Sequence, residues 1–80
     1  MGAYSVTTSK SPEQVVARAK DFFGHGGAGL ELVREEGCCL AFEGGEGHVS
    51  VTATTADDRT EVALETREWD YQVRKFMTQI

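Results

Sequence analysis

The chain has 80 residues, 40% of them hydrophobic, with four Phe, two Tyr, one Trp and a formal charge of −5. A chain of this length buries only about 60–65% of the surface that its unfolded form exposes, so it holds one core and reads as a single domain over residues 1–80. The negative charge sets DNA and RNA aside as partners, because nucleic-acid affinity comes largely from Lys and Arg neutralising phosphates.

Taken in chain order, alternation in Tyr4-Ser5-Val6-Thr7-Thr8 predicts a short first strand with Tyr4 and Val6 on one face. A helix start follows. Ser11 serves as N-cap, Pro12 fits the first helical position and Gln14 completes a capping box, while Val15, Val16, Ala19, Phe22 and Phe23 recur at helical spacing. Gly24-His25-Gly26-Gly27-Ala28-Gly29 ends that helix. Leu30 to Glu36 is predicted as a second strand and Cys38 to Glu43 as a third, with Cys38, Leu40 and Phe42 on one face. After the Gly44-Gly45-Glu46-Gly47 turn, Val49, Val51 and Ala53 alternate with His48, Ser50, Thr52 and Thr54 in a fourth strand. Asp57-Asp58-Arg59-Thr60 is a polar turn into a fifth strand carrying Val62, Leu64 and Thr66. Trp69, Val73, Phe76, Met77 and Ile80 then form one helical stripe from Trp69 to Ile80, with acidic residues near its start and Arg74 and Lys75 nearer its end. The expected fold class is therefore α+β: a five-stranded antiparallel sheet with two helices on one face, in the order β-α-β-β-β-β-α.

The motifs that suggest chemistry lack the context that chemistry requires. Gly24 to Gly29 matches G-x-G-x-x-G, but a dinucleotide loop follows a strand and opens a helix, and here the order is reversed. Cys38, Cys39, His25 and His48 are possible zinc ligands by type. Adjacent cysteines pointing to opposite strand faces do not wrap an ion, and no metal or cofactor is expected. Reduced thiols, Cys38 in the core and Cys39 partly exposed, fit a cytoplasmic protein. A Cys39–His48 nucleophilic pair requires that the hairpin of the third and fourth strands set both on one outer face, and it has no evident orienting group. Glu31, Glu35, Glu43, Glu61 and Glu65 fall on outward positions, where carboxylates keep a sheet soluble.

No segment reaches the roughly 18 apolar residues of a membrane span, and Met1-Gly2-Ala3-Tyr4-Ser5-Val6 lacks a basic region followed by an apolar run. Neither membrane insertion nor a secretory leader is expected, and Val6 stands where an acylation signal starting at Gly2 prefers Ser or Thr.

The final strand and helix, from Glu61-Val62-Ala63-Leu64-Glu65 through Trp69-Asp70-Tyr71-Gln72-Val73 to Phe76, resemble those of a miniature helix-grip (START-like) domain. The whole chain is similar to small bacterial proteins of that layout. The resemblance implies a curved sheet wrapped around a C-terminal helix, with an apolar ligand between them, although the strands and helices that build the full-size cavity are missing. Strand–helix–four strands–helix also resembles one half-repeat of the TATA-binding-protein fold. That would imply DNA on the open sheet face, which the glutamates there oppose.

Two functions fit these features. The first is a non-enzymatic binding or protein-interaction module that self-associates as a homodimer, using the small, weakly polar residues of the open sheet face. The alternative is a carrier of a small apolar ligand, or a cyclase-like enzyme, with a pocket between the sheet and the C-terminal helix. Its candidate ligand-binding residues are Trp69, Tyr71 and Phe42, and Tyr71 is singled out because it falls off the main apolar stripe.

Overall fold

Capping and alternation translate directly into elements in the computed structural model, which describes residues 2–80. Strand β1 (Gly2–Thr8) leads to helix α1 (Pro12–Phe23), then to strands β2 (Glu31–Glu36), β3 (Cys39–Gly44), β4 (Gly47–Ala56) and β5 (Arg59–Arg67), and to helix α2 (Asp70–Met77). The capping box at Ser11 is complete: the Gln14 N–H donates to the Ser11 hydroxyl at 3.2 Å, and the Ser11 N–H donates to the Gln14 side chain at 2.9 Å. Two orphan donors of the first turn are thereby satisfied.

All strands join one antiparallel sheet in the order β1-β5-β4-β3-β2. The chain closes its three hairpins with the two-residue turns Gly37-Cys38, Gly45-Glu46 and Asp57-Asp58. The first residue of each turn has positive φ: 57° at Gly37, 59° at Gly45 and 58° at Asp57. Glycine adopts that conformation without a Cβ penalty, and Asp tolerates it better than most residues. Cys38 thus occupies a turn, and β3 begins one residue later than the alternation suggested.

One sheet face and both helices enclose the core. Val49, Val51, Val62, Leu64 and Phe42 from the strands meet Val15, Ala19 and Phe23 of α1 and Val73 and Phe76 of α2. Phe23 lies centrally, its ring centroid 5.5 Å from Phe42 and 5.2 Å from Phe76. Polar neighbours on β5 are also enclosed. The buried Thr66 hydroxyl donates to the His48 carbonyl at 2.9 Å and accepts from the Trp69 N–H at 3.3 Å.

The edge strand β2 departs from expectation. Its ladder with β3 shifts register between Leu32 and Arg34, bulging at Val33, and every residue of the strand is exposed. Leu32, on the alternation's inward side, is 37% exposed because neither helix covers that end of the sheet. A salt bridge between Lys20 of α1 and Glu35, 2.6 Å long, spans the gap. Both partners are largely wet, so it contributes at most about 1 kcal/mol.

Helix α2 is shorter than its apolar stripe. Glu68 has φ of 76°, which turns the chain sharply out of β5, so that Trp69 precedes the helix and Asp70 opens it. A non-glycine residue held in the left-handed region is disfavoured by about 1–2 kcal/mol. Glu68→Gly is therefore expected to stabilise the protein by about 0.5–1 kcal/mol, part of the relief being offset by the more flexible unfolded chain. A urea-denaturation midpoint that rises checks this; one that falls contradicts it.

Candidate functional site

The two helices lie side by side on the sheet and meet through aromatic rings, Phe22 of α1 standing 5.5 Å from Phe76 of α2. Consecutive residues on a helix point about 100° apart. Phe23 consequently enters the core, and Phe22 turns toward α2 and remains half-buried. The loop after α1 folds back over the helix end, with the Ala28 N–H donating to the Phe22 carbonyl and the Leu30 N–H to the Phe23 carbonyl, both at 2.8 Å. Between α1, this loop and α2 runs an open groove of about 440 Å³. Its apolar surface comes from Phe22, Ala28, Trp69 and Phe76, and Arg18, Asp21 and Lys75 supply its charged groups.

Trp69 is the best-anchored wall of this groove. Its indole N–H donates to the Gly44 carbonyl at 3.1 Å and its backbone N–H reaches Thr66, tying the ring to the β3–β4 turn and to β5. The start of α2 is held separately by the Tyr4 hydroxyl, which donates to the Asp70 carboxylate at 2.6 Å. That hydrogen bond raises the Tyr4 pKa, helped by desolvation and by the Asp70 charge and opposed by Arg74, since ionising the phenol would lose the bond beside a carboxylate.

Of the three residues selected from sequence, Trp69 and Tyr71 line the groove together; Tyr71, 65% exposed, stands at its side. Phe42 does not join them. It is fully buried on β3 against Phe23. The space between the sheet and α2 is occupied by Val73 and Phe76, and the concavity lies between the helices, with no strand residue in its lining. Arg18, Asp21, Phe22, Ala28 and Lys75 also line the groove, and the sequence pattern does not mark them as site residues. The available signal was the Phe22-Phe23 pair, because two adjacent helical aromatics cannot both face one sheet.

The remaining chemical candidates are separated by the register. Cys39 stands opposite Thr52 and His48 opposite Glu43, at different ends of the β3–β4 ladder, so the thiol and imidazole do not meet. Gly24 to Gly29 connects a helix to a strand. Among the described residues, no three or more His, Cys, Asp or Glu side chains gather to hold a metal ion, and no helix is long and apolar enough to cross a membrane. Compared with known proteins, the sequence matches no family model and none of the curated proteins.

Proposed function

We propose that the protein is a non-enzymatic binding module whose interhelical groove takes a small molecule with an apolar body and an anionic group. The observation that carries this reading is an aromatic floor of Phe22, Trp69 and Phe76 bordered by two cations, Arg18 and Lys75, and one carboxylate, Asp21. In a chain of net charge −5 this is a local excess of positive charge, suited to a carboxylate or sulfonate on an apolar ligand. A volume of about 440 Å³ falls in the range of small-molecule sites. The charged groups of the lining, Arg18, Asp21 and Lys75, are all exposed at its rim, an arrangement suited to holding an ionic group of a bound molecule. An apolar ligand also agrees with the helix-grip resemblance, with the site moved from beneath α2 to the space between the helices.

Trp69 is the chain's single tryptophan and forms a wall of the groove, so its emission reports occupancy directly. Titration with octanoate is expected to give a saturable change in Trp69 fluorescence, with 1-octanol binding more weakly. Lys75→Glu, at an exposed position, should weaken octanoate by about threefold to tenfold while leaving the fold intact. No saturable change up to the solubility limit of octanoate, or equal binding of acid and alcohol, contradicts the reading.

A further inference from the structure

The two edges of the sheet are built differently. Edge strand β2 is guarded by a bulge at Val33 and by Glu31, Arg34, Glu35 and Glu36, devices that keep a strand edge from pairing with another chain. Edge strand β1 has none of them. From Gly2 to Thr8 it carries no charge and no proline, and it pairs with β5 in unbroken register along its whole length.

The direction of its backbone groups follows from the hairpins. A two-residue turn closes on a pair that exchanges both backbone hydrogen bonds, which is Ala56–Arg59 here. Alternation along β5 then directs Arg59, Glu61, Ala63 and Glu65 toward β4, and Thr60, Val62, Leu64 and Thr66 toward β1. The partners of the second set are Thr8, Val6, Tyr4 and Gly2, whose backbone groups are used inside the sheet. Ala3, Ser5 and Thr7 consequently aim their N–H and C=O groups out of the edge. On the helix side, Tyr4 and Val6 are half-buried although the residues beside them, Leu64 and Val62, are buried, so apolar surface continues to the rim.

We infer that β1 pairs antiparallel with β1 of a second copy, joining two sheets edge to edge about a twofold axis at Ser5. In this register Ser5 faces its own counterpart and Ala3 faces the partner's Thr7, so every outward backbone group from Ala3 to Thr7 is satisfied. Tyr4 then lies beside the partner's Val6, an aromatic and β-branched pairing that favours sheets. A second copy is the fitting occupant because the pairing is self-complementary and closes as a dimer. A β1–β2 contact would meet the bulge and grow into an open chain of copies. The edge also suits two chains of net charge −5 better than the open sheet face, where stacking would bring Glu61 and Glu65 against their copies.

Sedimentation equilibrium combined with amide hydrogen exchange tests this. Wild-type protein is expected to approach twice the chain mass with rising concentration, and the amides of Ala3, Ser5 and Thr7 should become protected in step. Ser5→Lys, which sets two like charges face to face, and Ser5→Pro, which removes an outward N–H that the monomer does not use, should each weaken association by about tenfold or more. Both variants should keep the wild-type circular dichroism, since neither touches a bond within the sheet. A wild-type monomer at all concentrations overturns the inference, as does a dimer in which those amides still exchange freely or which Ser5→Lys leaves unchanged. Neither readout involves the interhelical groove, so its failure is distinguishable from failure of the binding function.

Discussion

Phe23→Ala is expected to destabilise the protein by about 3–5 kcal/mol, the range for emptying a fully buried phenylalanine site. Small domains are stable by only about 5–15 kcal/mol in total, so a large share of the folding free energy is removed. The position explains the size of the effect. Phe23 has no exposed surface and contacts Phe22, Phe42 and Phe76 at centroid separations of 5.0, 5.5 and 5.2 Å, linking α1 to the sheet and to α2 at one point. The vacated volume is bordered by core side chains that are themselves packed against the sheet and helices, so collapse into it is only partial. Urea denaturation checks the magnitude. A loss below about 1.5 kcal/mol would mean that α1 is not fixed by this aromatic cluster.

Gly47→Ala is expected to cost about 2–3 kcal/mol although it adds a single methyl group. Gly47 faces Gly44 across the β3–β4 turn, and a Cβ there would run into the carbonyl oxygen of Arg67 and the Cβ of Glu68. The obstacle is backbone, so no side-chain rotation relieves it. The end of β5 must move, taking with it the Thr66 bond to the His48 carbonyl and the anchoring of Trp69. The loss of stability should therefore be accompanied by a change in Trp69 emission in the native state. Gly26→Ala is the control: a Cβ at that position meets nothing, and a near-neutral result is expected. Equal effects at the two positions would contradict the argument from close approach.

The sequence carried the order of the elements because the relevant signals are local. Ser11-Pro12-Glu13-Gln14 marks a helix start irrespective of what packs on it, and the alternation in β4 and β5 assigns inward residues that the structure buries. What local pattern cannot say is whether anything covers a face. Leu32 alternates correctly yet stays exposed, because β2 is an edge strand that bulges at the next residue. Trp69 fits the stripe of α2 but lies before the helix, because Glu68 takes a left-handed conformation that an ordinary glutamate does not announce. The site was half legible for the same reason. Trp69 and Tyr71 follow from the C-terminal stripe and its exception, whereas Arg18 and Ala28 join them because α1 and the loop after it lie beside α2, a tertiary relation whose one local trace is the Phe22-Phe23 pair.

The claim that the interhelical groove is the binding site is tested most directly by amide chemical-shift mapping during titration of the ¹⁵N-labelled protein with octanoate. Saturable shifts are predicted to concentrate at Gly27, Ala28, Tyr71, Gln72, Lys75 and Gln79, with one dissociation constant and no comparable change along β2 to β4. Saturable shifts centred on the sheet, or none at ligand concentrations that saturate the Trp69 signal, would contradict it.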